Sequence, residues 1–257
     1  MKPKVRMIVT DLDGTFLRTD KTVSAKTVEI IEKCREEGIK IVFATGRGGS
    51  ADRIVPSCLF DGKITMNGAV GRVGDKVIHS FLIPCLTARS FLVACNEYGI
   101  KITSEINGMH YSNFVVSDFW PSLTNYKVVD FMSHEMDAEK IYSPNPTYEE
   151  MQFIKQHLPE SLYSVATADI TGDLLQIMHK GATKSQAVAA LAAFWDIASS
   201  EIVAFGDELN DVDMLKYAGV GVAMGNALEE VKAISNTSCL TNDDDGVAKW
   251  IEGNIIL

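Results

Sequence analysis

The sequence has no C-x-x-C pair, no internal repeat, no low-complexity segment and no long apolar run. Its five cysteines, Cys34, Cys58, Cys85, Cys95 and Cys239, are odd in number and widely spread. That is neither a disulfide framework nor a thiolate zinc site, so they read as reduced core thiols. The longest nearly apolar stretch, 187–195, covers nine residues, whereas a membrane-spanning helix needs about 20. Lys2, Lys4 and Arg6 imitate the start of a signal peptide, but only Met7 to Val9 follow before aspartates arrive. The expectation is a cytoplasmic chain without a secretion signal. Positive charge is also scarce: 24 Lys and Arg against 34 Asp and Glu give a net −10. Such a field repels phosphate polymers and anionic headgroups. Neither nucleic acid nor membrane is an expected partner, while a local site for a small anion stays open and the sequence is silent on oligomeric state.

What is present is an ordinary globular composition, 257 residues with 46% apolar and 23% charged, enough for one large domain or one that carries a smaller one. The run VRMIVT over 5–10 is short, β-rich and followed by Asp-Gly, the pattern of a buried strand entering a turn. Ser24 can cap a helix whose Val28, Ile31 and Cys34 recur at helical spacing, with Gly38 at C′. IKIVFAT over 39–45 reads as a second buried strand. The C-terminal third repeats the alternation, with helices over 183–194, 209–217, 227–234 and near 247–252, and strands over 202–205 and 220–223. This order implies right-handed crossovers and an α/β fold, a doubly wound, Rossmann-like parallel sheet with helices on both faces. Between 84 and 180 the texture changes to a helix near 88–98, strands with turns such as Asn107-Gly108, and a helix near 148–157. We read 1–83 and 181–257 as the core domain and 84–180 as an inserted α+β cap, on linkers that would let it move as a lid.

Four short motifs carry chemistry. Asp11-Leu12-Asp13-Gly14-Thr15 follows the first strand. In extended backbone residues i and i+2 project to one side, so both carboxylates leave the carboxyl edge of the sheet together, where α/β proteins place ligands. Like charges this close need a cation, and a hard divalent ion such as Mg²⁺ suits their oxygens; alone, Asp13-Gly14 reads equally as a turn. Ala44-Thr45-Gly46-Arg47 ends the second strand with a hydroxyl, backbone N–H groups and a guanidinium fork that matches phosphate or carboxylate, or simply a capped turn. In Gly206-Asp207-Glu208-Leu209-Asn210-Asp211 a carboxylate can complete a metal site, with Asn210 and Asp211 at the mouth of the next helix. An acidic helix start is also what the macrodipole favours, and Glu208 reads that way. In KGATK, a buried lysine at a helix start would neutralise a phosphate or a crowded aspartate; spacing alone does not choose between Lys180 and Lys184.

Taken in order, DxDGT, a Thr at a strand end, a Lys and GDxxND, the sequence resembles the haloacid dehalogenase superfamily, and within it the Cof-type, subclass IIB phosphatases, along the entire chain. The resemblance implies a Mg²⁺-dependent phosphomonoester hydrolase with Asp11 as nucleophile and Asp13 as general acid, then base. It implies that Thr45, Gly46, Lys184 and Asn210 hold the transferring phosphoryl group. Asp11, the main-chain carbonyl of Asp13, and Asp207 would hold Mg²⁺, with Asp211 orienting water ligands or Lys184. The family's lysine is followed by small and polar residues that open a helix, so Lys184 matches and Lys180 does not. Gly48-Gly49 departs from many relatives and leaves the role of Arg47 open. Asn67, after the strand KITM, falls in a segment that borders the active site in relatives. The implied substrate is a small phosphate ester, first a sugar phosphate, with pyridoxal phosphate or a nucleotide as alternatives.

The chemistry is demanding, since unaided phosphate-monoester hydrolysis asks for acceleration towards ~10²¹, and an aspartyl-phosphate divides it into two in-line displacements. Halide displacement would need neither Asp13 nor a metal, and a phosphorylating ion pump would need membrane spans. Sugar-phosphate mutases of the superfamily carry their lid between the first two motifs, whereas 33 residues, mostly one helix, separate Asp11 from Thr45 here. A non-catalytic phosphate-binding regulator would lack one of Asp11, Asp13 or Asp207. Within the insertion, His110, Tyr111 and Asn113 after the turn and His179 near the hinge could reach substrate, although a histidine in a strand is more often structural. Phe114, Phe119 and Trp120 read as lid core rather than a sugar platform.

Overall fold

The first strand, β1 (Met7–Thr10), is buried at all four positions, as befits a β-branched run with a neighbour on each side and helices above and below. The computed structural model describes residues 4–49, 51–169 and 172–256. After β1 come α1 (Ala25–Glu36), β2 (Lys40–Ala44), the single turn α2 (Ala51–Ile54), β3 (Gly62–Thr65), β4 (Val70–Val73) and β5 (Lys76–Ser80). Next are α3 (Cys85–Tyr98), β6 (Thr103–Ile106), β7 (Met109–Ser112), β8 (Tyr126–Val128), β9 (Lys140–Pro144), α4 (Tyr148–His157), β10 (Leu162–Asp169) and β11 (Gly172–His179). The chain closes with α5 (Lys184–Phe194), β12 (Ile202–Gly206), α6 (Val212–Tyr217), β13 (Val220–Ala223), α7 (Glu229–Ile234), β14 (Thr237–Ser238) and α8 (Gly246–Asn254). The chain up to Ser80 and from Thr183 onward forms one compact unit, and Phe81–Ala182 forms another.

In the first unit one eight-stranded sheet runs β14-β13-β12-β1-β2-β3-β4-β5. The pairs from β14 to β3 are parallel, as the strand-helix alternation predicts. Beyond β3 the sheet adds β4 and β5 antiparallel, an edge the sequence reading did not anticipate. From β1 the chain crosses through α1 to β2 on one side, and from β12 through α6 to β13 on the other. Right-handed crossovers in opposite directions place α1 and α6 on opposite faces, with the switch point between β1 and β12. The core joins Ile8, Val9, Val42 and Phe205 of the strands to Ile30 and Ile31 of α1 and Val188 and Leu191 of α5. Ser24 caps α1 by accepting from the Thr27 N–H at 3.0 Å, and Gly38 takes the left-handed C′ conformation at φ +82°. Thr183 is the cap of α5 rather than its first residue, and 209–211 is a 3-10 turn ahead of α6.

The second unit holds a six-stranded sheet, β10-β11-β9-β6-β7-β8, antiparallel except where β7 meets β8. Its core is formed by Phe91, Leu92 and Cys95 of α3 and Ile154 of α4 against Ile141, Leu175 and Ile177 of the strands. The Asn107-Gly108 turn joins β6 to β7, with both residues at positive φ.

Candidate active site

Asp11 follows β1 and Asp207 follows β12, so the two aspartates flank the switch point. Gly14 lets them meet: it sits at φ +75°, and a Cβ there would lie 2.3 Å from Asp207 Oδ2. Only glycine fits both the left-handed backbone and the close approach. Thr15 donates its hydroxyl to Asp207 Oδ1 at 2.6 Å, and the Asn226 amide donates to the Gly14 carbonyl at 2.8 Å. The loop after the first strand is therefore tied to the loops that follow β12 and β13.

Lys184 opens α5, and its ammonium donates to Asp11 Oδ1 at 2.7 Å and Asp211 Oδ1 at 2.6 Å. Gly68, at φ +102°, makes room for that helix start, since a Cβ would meet the Thr183 carbonyl at 2.1 Å. Asp211 spends its other oxygen on the N–H groups of Asp207, at 3.0 Å, and Glu208, at 3.1 Å. Carboxylate oxygens of Asp11, Asp207 and Asp211 all lie within 4.8 Å of one another. Three buried carboxylates against one ammonium leave a net −2. Burial holds Asp11 well above the usual carboxylate range, against the Lys184 charge and aided by Asp211 and Asp207. Burial likewise pushes Asp207 up to about 7, opposed by the Thr15 hydrogen bond and reinforced by the charges of Asp211 and Glu208. Burial works against the Lys184 ammonium, but Asp11 and Asp211 outweigh it and raise its pKa.

The Asp13 carboxylate turns elsewhere. Arg47 grips both oxygens, Nε on Oδ2 and Nη2 on Oδ1 at 2.8 Å, and Lys21 Nζ reaches Oδ1 at 2.8 Å. Burial pushes this carboxyl up, but the hydrogen bonds and charges of the two cations prevail and hold it below the usual range. On the other side of the motif, buried Thr45 accepts from the Arg47 N–H at 3.2 Å, and its carbonyl accepts from the Asn67 N–H at 3.0 Å. A Cβ at half-buried Gly46 would lie 3.0 Å from the Asn67 side-chain oxygen. Asn67 in turn accepts from the Asn210 amide at 3.0 Å.

The four motifs thus converge at one edge of the first unit, and Asp11, Asp13, Thr45, Gly46, Arg47, Asn67, Lys184, Asp207, Asn210 and Asp211 form one linked set. Lys180 is exposed and belongs to the second unit; Lys184 is 1% exposed. Sequence reasoning passed over Lys21, Asn226 and the hydroxyl of Thr15. Thr15 stands in the first motif, but nothing local marks the other two, whose partners are fixed by loop geometry.

The candidates in the second unit have neighbours of their own. Asn113 is occupied structurally, accepting from the Ile102 N–H at 2.9 Å and donating to the Ile100 carbonyl at 2.8 Å. Tyr111 packs on the core. His110 is paired with the Tyr142 hydroxyl at 3.0 Å, and His179 stacks on Phe81. Phe114, Phe119 and Trp120 pack edge-on and tilted against one another.

A mostly parallel sheet with paired aspartates at its central strand, a buried lysine opening a helix and an acidic turn after the adjacent strand defines a class of hydrolase. The chain belongs to the haloacid dehalogenase-like hydrolases, which match it over residues 8–251. It is 25% identical over 268 residues to 5-amino-6-(5-phospho-D-ribitylamino)uracil phosphatase YitU of Bacillus subtilis (strain 168), covering 98% of each chain. Against phosphatase YwpJ of the same bacterium, identity is 28% over 288 residues, covering 96% of this chain and 99% of that one. Among solved structures, the HAD subclass IIB sugar phosphatase BT4131 superposes with a TM-score of 0.81 at 26% identity, covering 98% of this chain and 100% of that one. BT1666 from Bacteroides thetaiotaomicron gives 0.83 at 26%, covering 97% and 95%. The protein is a phosphatase of the haloacid dehalogenase type, in the Cof-type, subclass IIB group.

Proposed function

We propose that this phosphatase hydrolyses monoesters of a small phosphorylated metabolite, a sugar phosphate first among them, with Mg²⁺ and through an aspartyl-phosphate on Asp11. The observation that carries the reading is the charge arrangement at Asp11. Lys184 holds one of its oxygens, and among the described residues no hydrogen bond is made to the other. That oxygen attacks phosphorus as the ester P–O bond breaks. Asp13, which Arg47 and Lys21 keep ionised here and which therefore has to take up a proton when the ester binds, gives it to the departing alcohol, then takes one from the water that attacks the acyl phosphate, releasing phosphate and restoring Asp11. Thr45, Gly46, Lys184 and Asn210 hold phosphoryl oxygens, and Asp211 keeps Lys184 in place.

The residues fit Mg²⁺. The donors are hard oxygens, the cluster carries two uncompensated negative charges when its carboxylates are ionised, and the burial that raises Asp11 and Asp207 is a cost that a bound cation would offset. Asp11, Asp207 and the main-chain carbonyl of Asp13 would hold the ion, which supplies charge neutralisation for the phosphoryl group. In this reading the first unit is the catalytic core and the second is the cap that selects the leaving group. The named substrate of YitU and the sugar phosphatase BT4131 both support a polyol or sugar phosphate.

The test is phosphate release from sugar phosphates, nucleotides and pyridoxal phosphate, with Mg²⁺ and with EDTA, for the wild type and Asp11→Asn. Turnover should require Mg²⁺ and vanish in the variant, whose circular dichroism stays native. Retention of more than about a tenth of kcat, a barrier change under roughly 1.4 kcal/mol, would exclude Asp11 as nucleophile.

A further inference from the structure

We infer that Asn226 is a positioning residue for the metal site: it straps the turn that carries Asp13 to the loop that carries Asp207, so that ligands from both are in place before the ion binds. The inference rests on the Mg²⁺ site proposed above. Its ligands come from two loops, Asp11 and the Asp13 carbonyl after β1 and Asp207 after β12. Metal binding needs both carboxylates ionised, and in that state they repel each other. Gly14 lies against the Asp207 carboxylate, and glycine is the most permissive residue in the backbone. A tie that does not consume the ligands is therefore needed across this seam.

The loop after β13 supplies it. Its main chain is fixed to the Asp207 loop at two points: the Met224 N–H donates to the Gly206 carbonyl at 3.0 Å and the Leu228 N–H to the Asp207 carbonyl at 3.1 Å. Between them Asn226 reaches across to the other loop, donating from Nδ2 to the Gly14 carbonyl at 2.8 Å. Its oxygen accepts from the Asn242 N–H at 3.1 Å. A carboxamide can do both at once, whereas an aspartate could only accept. Neither bond ends on Asp11, on Asp207 or on the Asp13 carbonyl. The other tie, from the Thr15 hydroxyl, ends on the Asp207 carboxylate itself at 2.6 Å.

Asn242 extends the strap. It is 8% exposed, and its side-chain amide donates to the Leu17 carbonyl at 3.0 Å. The two asparagines, joined by a hydrogen bond, thus hold two carbonyls of the same loop. Asn226 itself is exposed, so truncating it opens no core cavity and its effect on folding is small. Positioning and stability are separable at this residue.

Mg²⁺ demands near-ideal octahedral geometry, whereas Ca²⁺ accepts a flexible one. A loosened seam therefore costs Mg²⁺ more than Ca²⁺, while a lost charge or a poorly folded chain costs both alike. Dissociation constants for each ion are read without substrate, from the rise in urea-unfolding free energy with ion concentration above the EDTA baseline. Asn226→Ala and the near-isosteric Asn226→Leu should each bind Mg²⁺ about tenfold more weakly than the wild type, with the Ca²⁺ constant changed by less than about threefold. An unchanged Mg²⁺ constant in the variants, or equal losses for the two ions, would overturn the inference while leaving the phosphatase reading intact. A wild type stabilised by neither ion would overturn the proposed metal site as well.

Discussion

Stripped of divalent cations, this protein should lose stability as pH rises from about 5 to about 7.5, opposite to the trend set by salt-bridged carboxylates. Burial pushes Asp207 from 3.8 up to about 7. An acid whose folded pKa exceeds its unfolded one contributes stability that is complete below the unfolded value and lost as pH climbs through the folded value. At 1.36 kcal/mol per pKa unit, Asp207 alone removes about 2–3 kcal/mol across that window. Asp11, also raised by burial, acts in the same direction. Three histidines oppose them: burial lowers His79, His110 and His134, and a base with a depressed pKa regains stability as pH rises. Their contribution is common to both metal conditions, so the difference between EDTA and excess Mg²⁺ isolates the acidic cluster. Urea unfolding followed by tryptophan fluorescence is a suitable assay, because Trp195 and Trp250 both pack on the core of the first unit. The stabilisation by Mg²⁺ should grow with pH, and Asp207→Asn should flatten the EDTA curve. Parallel EDTA and Mg²⁺ curves would refute the reasoning, since no buried negative charge would then be waiting for a cation.

Gly14→Ala should leave a folded protein, costing about 1–2 kcal/mol for the left-handed backbone. Because the new Cβ displaces the Asp207 carboxylate, half-maximal activation should need about 10–100 times more Mg²⁺; an unchanged titration would contradict this. Lys184→Met should cost about 3–5 kcal/mol in EDTA, the penalty for breaking a buried ion pair, and Mg²⁺ should return part of it. Equal destabilisation with and without Mg²⁺, read by urea unfolding, would show that the lysine does not balance the cluster.

The acidic and lysine motifs were legible because their chemistry is local: each sits at a strand end or helix start, and hydrophobic patterning marks those ends. Asp11 and Asp207 could be placed at one edge from strand order alone. Lys21 could not, because its position depends on a turn held by Asp243 and Asp245, more than 200 residues downstream. The antiparallel edge was missed for another reason. β5 reads KVIHS with no fully buried position, so burial left no period for the sequence to show. Asn113 stays open in the sequence because nothing local shows that its side chain serves the backbone of 100 and 102.

The pairing of Met7 with Ile202 has a consequence in time. At about 5–20 residues per second of synthesis, the neighbour of β1 on that side emerges roughly 10–40 s after β1 itself. Every strand of the inserted unit pairs within the insert, and the last of them ends at His179, about 1–5 s ahead of Ile202 at the same rate. The order of emergence thus favours the insert as the first part to acquire structure. Asp11, made almost at the outset, must wait beside exposed apolar strands until Asp207 and Asp211 arrive. Long-range closure of this kind slows folding, so the phosphatase site is among the last features of the chain to form. The nascent core rather than the insert is then the part that a chaperone would have to shield.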